Sequence, residues 1–439
     1  MKTVGIVAEY NPFHKGHAYQ LRKARELSGA DYAVIILSGD FVQRGYPALA
    51  DKYVRAEMAL RSGADLVLEL PVPYATGSAE TFARGAVSVL EELGCVDTLC
   101  FGSEVGDLSP LMDYARLFEE EPPLYRELLQ SFLKQGISFP AARSRAAEEY
   151  RNTFERILPC SAADADCRRE PSLLDSPNNI LGVEYCRALL HRNSSIRPLT
   201  LRRESAGYHD LNLDASMASA SAIRYAIIQG LSGFPDADCR KEAAPLPASI
   251  CSQLPEDSAA LLEQVLREAG PVSLSDFSAQ LSYRLLSLSR EELAAIQDVG
   301  QELAARIYKN RFVFTDAEAF ADLIKTRQIT HTRVTRALCH VLLGLTQADL
   351  NSRKAAGYPV YLRPLGFRKS AAPLLSAIKE KSASPLLVKA ADAFSVLSPE
   401  QSALFEQDLF AAHLYESVKA GRRKQPLVHE YTRSPVILP

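Results

Sequence analysis

Short apolar segments and amphipathic helical segments alternate along the first part of the chain. The segments TVGIVAEY, DYAVIILSG, ADLVLELP and VDTLCFGSE have the character of strands, and a helical pattern separates each from the next. The second segment is apolar almost throughout, as expected for a strand that is covered on both faces of its sheet. This alternation predicts an α/β fold with a Rossmann-like, doubly wound parallel sheet.

The chain of 439 residues is too long for one typical core, so we expect at least two domains. A polar helical stretch around residues 109–170 interrupts the alternation. A proline-rich acidic segment, GFPDADCRKEAAPLPASICSQLPEDS, marks a boundary near residue 250. We predict a catalytic domain over residues 1–250, with a helical insertion around 109–170. A mainly α-helical C-terminal domain would follow over residues 251–439.

Composition argues against several classes of protein. The formal net charge is −3, so the chain as a whole is not a strongly basic nucleic-acid binder, although a local basic face remains possible. The sequence has no apolar run long enough to span a membrane, and MKTVGIVAEY lacks the features of a signal peptide. Eight cysteines without a CxxC pair are typical of reduced thiols. We therefore predict a cytoplasmic protein with no protein-bound metal site.

The stretch VGIVAEYNPFHKGHAYQL places two histidines directly after the first strand and before the first helix. Backbone N–H groups at a helix start form an anion site. Imidazoles there can donate hydrogen bonds to the charge that grows on an α-phosphate during in-line attack. Gly16 leaves room for close approach of a nucleotide. A surface loop with two histidines is the alternative, but the position between strand and helix favours His14 and His17 as catalytic residues.

A second candidate is the segment SASAIR at residues 219–224. Ser219, Ser221 and Arg224 lie in a serine-rich turn that leads into a helical pattern. Taken alone, such a turn is as typical of a plain helix cap as of a phosphate contact.

The motif EYNPFHKGH resembles the H-x-G-H signature of the HIGH-type nucleotidyltransferase superfamily. The stretches SGDFVQRGYPALADKYVRAEMAL, GADLVLELP, FGSE, SPNNILGVEY, YHD, VLLGLT and YLRPLGF follow it in order. Together they resemble the bacterial tRNA(Met) cytidine acetate ligase family over nearly the full chain. The resemblance implies that ATP activates acetate as acetyladenylate, with release of pyrophosphate. The acetyl group would then pass to N4 of the wobble cytidine, position 34, in the anticodon loop of elongator tRNA(Met).

The resemblance also implies an ATP site, with magnesium carried mainly by the ATP phosphates. A family asparagine corresponds to Asn178 or Asn179, with Asn179 preferred, and a family arginine to Arg203 or Arg202. The implied ATP-binding residues are Val7, Ala8, Glu9, Tyr10, Asn11, Pro12, Phe13, His14, Lys15, Gly16, His17, Ala18, Tyr19, Gln20, Gly102, Asn178, Asn179, Arg202, Arg203, Ser219, Ser221 and Arg224.

The implied tRNA would be held by basic residues that cluster in the second half. From these clusters we predict tRNA binding by Arg333, Arg336, Arg363, Arg368 and Lys369, with His331 and Tyr361 available to stack on bases. The bulky residues nearest the H-x-G-H turn are predicted to close a pocket around the methyl group of acetate: Tyr10, Phe13 and Phe41. Asp40, Gln43 and Arg44 would position acetate or tRNA.

Two other functions compete with this interpretation. One is a HIGH-type adenylyltransferase that acts on a small phosphorylated metabolite, which would leave the long helical extension without a role. The other is an RNA-binding protein whose nucleotide fold has lost catalysis, against which the intact His14, Gly16 and His17 argue.

Overall fold

A computed structural model of the chain describes residues 1–155, 173–203, 218–231 and 245–439. One seven-stranded sheet with the order β5-β4-β1-β2-β3-β6-β7 forms its centre. The strands are β1 (Thr3–Ala8), β2 (Tyr32–Ser38), β3 (Leu66–Leu70), β4 (Thr98–Ser103), β5 (Arg197–Arg202), β6 (Pro364–Arg368) and β7 (Val436–Leu438).

The first five strands run parallel, which confirms the predicted Rossmann-like sheet. The chain winds from β1 through β2 to β3 on one side, and then returns to place β4 against the other side of β1. The carboxyl ends of β1 and β4 therefore flank the point where the strand order reverses. In open α/β sheets ligands bind in the crevice at this point.

The outer edge of the sheet comes from the second half of the chain, which the sequence analysis did not predict. Strand β6 pairs antiparallel with β3, with Leu66 opposite Phe367, and β7 pairs parallel with β6. Gly366 allows this close packing, because an added Cβ would lie 2.8 Å from Leu60 Cδ1 and from the carbonyl oxygen of Val436. Residues beyond 250 thus complete the sheet as well as forming helices. The division at residue 250 stays a prediction.

Nine described helices accompany the strands up to residue 231. Helix α1 ends as predicted at Gly29, which has a φ of 62°. The predicted insertion begins with α5, α6 and α7, and its residues 156–170 lie outside the described residues, as does the YHD motif. The helices are α1 (Lys15–Ser28), α2 (Lys52–Arg61), α3 (Val72–Ala75), α4 (Ala79–Glu92), α5 (Leu108–Glu120), α6 (Pro123–Lys134), α7 (Phe139–Glu155), α8 (Pro177–His191) and α9 (Ala220–Leu231).

The described part of the second half is mainly helical, as predicted. Its helices are α10 (Ala248–Cys251), α11 (Glu256–Glu268), α12 (Ser278–Ser287), α13 (Arg290–Ala295), α14 (Gly300–Asn310), α15 (Ala317–Ile324), α16 (His331–Leu343), α17 (Gln347–Ala355), α18 (Ala372–Lys381), α19 (Ala393–Val396) and α20 (Pro399–Arg423). None of the described helices is long and apolar enough to cross a bilayer.

The helical region has its own apolar core, and the loop after β2 reaches into it. Phe41 is fully buried there, with its ring centroid 5.6 Å from that of Phe277. At Gly45, which has a φ of +76°, an added Cβ would lie 2.4 Å from the Cα of Arg336 in α16. Thr335 also donates a hydrogen bond of 2.7 Å to the carbonyl oxygen of Arg44. The loop between β2 and α2 therefore joins the sheet to the helical region.

Candidate nucleotide-binding site

A cavity of about 790 Å³ opens at the carboxyl ends of β1 and β4. It is bordered by both halves of the chain. Of the residues predicted to bind ATP, the following line it: Val7, Ala8, Glu9, Tyr10, Asn11, His14, His17, Gln20, Gly102, Asn178, Arg203, Ser219, Ser221 and Arg224. The cavity thus brings together residues from five separate parts of the sequence.

His14 and His17 are held by the backbone at the start of α1. The Nδ1 atom of His14 accepts a hydrogen bond of 3.0 Å from the N–H of Gly16, and Nδ1 of His17 accepts one of 3.3 Å from the N–H of His14. The two rings stack with centroids 3.8 Å apart. Since each Nδ1 is an acceptor, the proton of each neutral ring lies on Nε2.

The electrostatic surroundings keep both rings neutral. Burial, together with the positive charge of Arg203, lowers the pKa of His14 to about 3. Burial also lowers the pKa of His17 well below its usual value, with further contributions from His14 and Arg203. The pair can therefore supply two Nε2–H donors to an anion without a change of protonation.

Arg203 completes the positive side of this end of the cavity. Its guanidinium donates a long hydrogen bond of 3.4 Å to Oδ1 of Asn178. Its stem lies over Gly102, where an added Cβ would be 3.2 Å from Cγ of Arg203. Gly102 thus leaves room for the arginine that lies beside the two histidines.

The structure separates the two members of each ambiguous pair. The side chain of Asn179 accepts hydrogen bonds from the N–H groups of Glu104 and Val105 and donates one to the carbonyl oxygen of Leu173. It is buried and does not line the cavity, whereas Asn178 does. Likewise Arg202 is exposed outside the cavity lining, and Arg203 is inside it. Geometry therefore favours Asn178, against the initial preference for Asn179, and Arg203.

The remaining predicted ATP-binding residues do not line the cavity: Pro12, Phe13, Lys15, Gly16, Ala18, Tyr19, Asn179 and Arg202. Some of them still shape the site. Gly16 supplies the N–H that orients His14, and the buried Phe13 ring lies 4.6 Å from the ring of Tyr10.

The serine-rich turn enters the site through the start of α9. Ser219 caps this helix by accepting a hydrogen bond of 3.1 Å from the N–H of Ala222, so the helix-cap interpretation holds for its hydroxyl. Gln253 ties the turn to α1: its carbonyl oxygen accepts from the N–H of Lys15, and its Oε1 accepts from the N–H of Ala218. The sequence analysis did not identify Gln253, because nothing in its local pattern indicates these distant partners.

Arg55 is a second supporting residue that the sequence analysis missed. It is fully buried in α2, and burial lowers its pKa. Its guanidinium donates to the carbonyl oxygens of Glu9, Ser38, Gly39 and Ala50. This one side chain therefore holds together the ends of β1 and β2, from which the site is built.

The predicted tRNA-binding residues fall into different environments. Arg333 and Lys369 are exposed, whereas Arg336 donates a hydrogen bond of 2.6 Å to Asp298 and Arg368 donates to the carbonyl oxygen of Leu60. Arg363 is buried, 3 % exposed, and pairs with Glu69 and Glu430. Its burial and its two ion pairs argue against the prediction that Arg363 binds tRNA.

Tyr361 is also unavailable for stacking, because it is buried and its hydroxyl donates to Asp408. Among the three aromatic residues predicted to enclose acetate, only Tyr10 lines the cavity. Phe41 belongs to the helical core. Asp40 is likewise buried outside the cavity lining, where it accepts from the N–H of Lys52. Gln43 and Arg44 do line the cavity.

Within the described ranges, no three His, Cys, Asp or Glu side chains are grouped in a way that could hold a metal ion. The anion-binding groups of the cavity are N–H donors, which suit phosphate oxygens rather than a cation.

Comparison with known proteins is consistent across sequence and structure. Residues 1–428 match the HIGH Nucleotidyl Transferase family. A tRNA(Met) cytidine acetate ligase of Acetivibrio thermocellus is 36% identical over 440 residues, covering 100% of both chains. One of a Thermoanaerobacter species is 38% identical over 419 residues, covering 94% of this chain and 95% of the relative.

Solved structures of Thermotoga maritima TmcAL share the whole fold. The form bound with alpha-thio ATP has a TM-score of 0.84 and 32% identity, and the apo form has a TM-score of 0.86 and 32% identity. Each comparison covers 100% of both chains. The chain belongs to the HIGH nucleotidyltransferase family and, within it, to the tRNA(Met) cytidine acetate ligases.

Proposed function

We propose that this chain is an ATP-dependent ligase that acetylates the wobble cytidine of elongator tRNA(Met), using acetate and ATP. The observation that carries the proposal is the pair of stacked, neutral histidines beside Arg203 at the switch point of the sheet. Membership of the tRNA(Met) cytidine acetate ligases supports the same activity. The two reaction steps described below are inferred from the chemistry of the groups in this site.

The first step would be formation of acetyladenylate. A carboxylate oxygen of acetate attacks the α-phosphorus of ATP, the bond from that phosphorus to its bridging oxygen breaks, and pyrophosphate leaves with the electron pair. The Nε2–H groups of His14 and His17 and the guanidinium of Arg203 would bind the oxygens on which charge increases. Magnesium would arrive on the ATP phosphates and supply further charge neutralisation there.

Acetate would bind next to Tyr10, whose ring centroid lies 4.8 Å from that of His17. The hydroxyl of Tyr10 is buried and has no hydrogen-bond partner among the described residues. A buried hydroxyl without a partner is costly, so a ligand oxygen is a natural partner for it. Of Tyr10, Phe13 and Phe41, we therefore propose only Tyr10 as a residue that contacts acetate.

The second step would transfer the acetyl group to tRNA. The N4 nitrogen of the cytidine forms a bond with the acetyl carbon, the carbon–oxygen bond to AMP breaks, and AMP leaves with the electron pair. The nitrogen loses one proton, which passes to solvent. The target base must leave the anticodon loop stack to reach this cavity. The free cysteines among the described residues and a tRNA substrate suit a cytoplasmic enzyme.

An exchange assay tests the proposal. Radiolabelled pyrophosphate should enter ATP when the enzyme is incubated with acetate and without tRNA. Subsequent addition of tRNA(Met) should yield N4-acetylcytidine at position 34. A requirement for a phosphorylated metabolite in place of acetate would instead indicate an adenylyltransferase, and absence of exchange with every acceptor would indicate a binding protein.

A further inference from the structure

We propose that the part of the cavity bordered by Tyr46, Arg224 and Glu318 is the acceptor subsite, which holds the extruded cytosine with Glu318 accepting a hydrogen bond from its amino group. The inference rests on the proposed function, because it assigns a place to the second substrate of that reaction.

The cavity continues beyond the groups that a nucleotide phosphate requires. Its further wall is formed by Gln43 and Tyr46 from the loop after β2, and by Glu318 and Asp322 from α15. Two serines just before α12, Ser273 and Ser275, also border it. This wall is contributed mostly by the helical second half, which a compact adenylating domain would not need.

Arg224 provides a donor that has no partner in this wall. Its Nε is buried, and no described residue accepts a hydrogen bond from it. The guanidinium carbon lies 4.6 Å from the ring centroid of Tyr46, and the residue lines the cavity. Leaving a buried charged donor unpaired costs free energy, so the arrangement points to an acceptor atom on a bound ligand.

Glu318 provides the matching acceptor. It lies in the first turn of α15, where its N–H donates to Asp316 at 2.8 Å, so its backbone position is fixed. Burial raises the pKa of its carboxyl group, while the charge of Arg224 and a hydrogen bond with Tyr46 lower it. Glu318, Tyr46 and Arg224 are therefore electrostatic neighbours around one part of the cavity.

A carboxylate beside a guanidinium matches the pairing edge of cytosine. Cytosine offers an amino group as donor next to ring and carbonyl acceptors, whereas uracil presents a carbonyl oxygen where cytosine has the amino group. Glu318 would accept from the amino group. The unpaired Nε–H of Arg224, a residue that the family resemblance implied for ATP, is assigned here to an acceptor of the same base. Uracil would place an oxygen against the carboxylate, so the pair would select cytosine.

An exposed aromatic residue at the cavity lining fits a neighbouring base of the loop. Tyr225 follows Arg224 on α9, lines the cavity and is 53% exposed. Single-stranded RNA is bound largely by stacking on such side chains. Tyr225 would thus hold a base next to the extruded cytidine.

The test uses the full-length enzyme and its Glu318→Gln variant, which keeps the shape of the side chain and removes the charge. We expect acetyl transfer to tRNA to fall by about 10- to 100-fold, the range for loss of one good base contact. Acetate-dependent exchange without tRNA should stay within about twofold. Glu302→Gln is the matched control, because Glu302 is an exposed residue of α14 outside the cavity lining.

A second measurement reports on recognition rather than folding. Transcripts carrying U34 cannot be acetylated and serve as competitive inhibitors of C34 transcripts. The wild type should bind C34 more tightly than U34, and Glu318→Gln should narrow that preference. Tyr225→Ala should weaken binding of both transcripts by about tenfold, as expected for one lost base–aromatic stack.

Three outcomes would overturn the inference. The first is wild-type transfer by Glu318→Gln, and the second is an unchanged preference for C34. The third is an equal loss of exchange and transfer, which would assign this wall to ATP or acetate. Absence of exchange in the wild type would overturn the proposed function itself, so the two failures are distinguishable.

Discussion

Two clusters of polar and charged side chains lie close to the ends of the central strands, and they differ in how many of their members have a partner. At the joint between β3 and the C-terminal region, Lys52 lies 2.7 Å from Glu69 and 3.1 Å from Glu430. Arg363 lies 3.0 Å from Glu69 and 2.6 Å from Glu430. All four are buried. Each charged group of this joint cluster has an opposite charge beside it.

The cavity cluster of His14, His17, Arg203 and Arg224 is different, because its hydrogen-bond donors have few partners. His14 and His17 each keep an Nε2–H that no described residue accepts, and the guanidinium of Arg203 makes only the long hydrogen bond to Asn178 among described residues. Arg224 keeps a buried, unpaired Nε. Burying polar groups without partners costs free energy that a packed interior has no reason to retain. The comparison teaches that completed pairing is typical of a structural cluster, and that unpaired donors gathered around one open cavity indicate a ligand site.

Among the variants of these two clusters, we expect the largest effect on stability from the replacement of Arg363. Arg363→Met would leave Glu69 and Glu430 with less positive charge in a buried site. Breaking a buried pair costs about 3–5 kcal/mol, so the free energy of unfolding should fall by that amount. Chemical denaturation measures it. Lys369→Met, at an exposed position nearby, is the control and should change stability by less than about 0.5 kcal/mol. Unchanged stability of Arg363→Met with weakened tRNA binding would restore the original tRNA-binding prediction.

The catalytic histidines test the other side of the comparison. His17→Ala should lower acetyladenylate formation by about 100- to 1,000-fold, the cost of losing one positioned transition-state donor. For His14 the suitable variant is His14→Asn, because the His14 ring also caps the start of α1 and an asparagine side chain can cap it in the same way. His14→Ala should lose both roles, with about 1 kcal/mol of stability in addition to the lost rate. Exchange at the wild-type rate in His14→Asn and His17→Ala would contradict the assignment.

The sequence predicted the cavity cluster better than the joint cluster, for a physical reason. The H-x-G-H motif, Gly102 and the strand alternation are local patterns, and parallel strand ends meet at one edge of the sheet. The partners of Arg363 lie 294 and 67 residues away, so its burial cannot be inferred from its neighbours. The motif YLRPLGF is recognisable as part of the family resemblance, yet its arginine serves the fold.

Strands β6 and β7 escaped prediction for a related reason. They have five and three residues, and β6 begins with a proline, which is typical of a strand start or an edge. Their pairing with β3 depends on long-range contacts. Arg55 and Gln253 were missed likewise, because a buried side chain that donates to distant carbonyl groups leaves no periodic signal.

The pairing in the joint cluster should also make the stability of the fold depend on pH. Burial by itself would raise the pKa of Glu430, but the charges of Lys52 and Arg363 outweigh it and hold this pKa well below 4.5. A carboxyl group whose pKa is lower in the folded state than in the unfolded state stabilises the fold at pH values above its unfolded-state pKa. This stabilisation is lost progressively as the pH falls below about 4.5. Glu430→Gln should therefore cost about 2 kcal/mol at pH 7 and progressively less under acid conditions. A stability difference from the wild type that is constant between pH 7 and pH 3 would contradict the pairing.

The smallest effect concerns Arg333 and Arg336, which were predicted as equivalent tRNA contacts and are not equivalent in the structure. Arg336 is half-buried and paired with Asp298, like a member of the joint cluster, whereas Arg333 is exposed in the first turn of α16. That turn lies beside the cavity, since His331 is 3.6 Å from Asp322, which lines it. Arg333 is therefore free to meet a tRNA phosphate near the acceptor subsite.

Each phosphate contact releases condensed counterions, so its loss reduces the dependence of affinity on salt. Arg333→Ala should weaken tRNA binding modestly and reduce the slope of log K against log salt by about 1, with acetyladenylate formation unchanged. Arg336→Ala should instead act mainly on stability, because it leaves Asp298 without its nearest positive partner. Titration of tRNA over a range of salt concentrations measures the slope. The assignment would be reversed if Arg333→Ala kept the wild-type salt slope while a stably folded Arg336→Ala reduced it. Arg336 would then leave Asp298 to contact a tRNA phosphate.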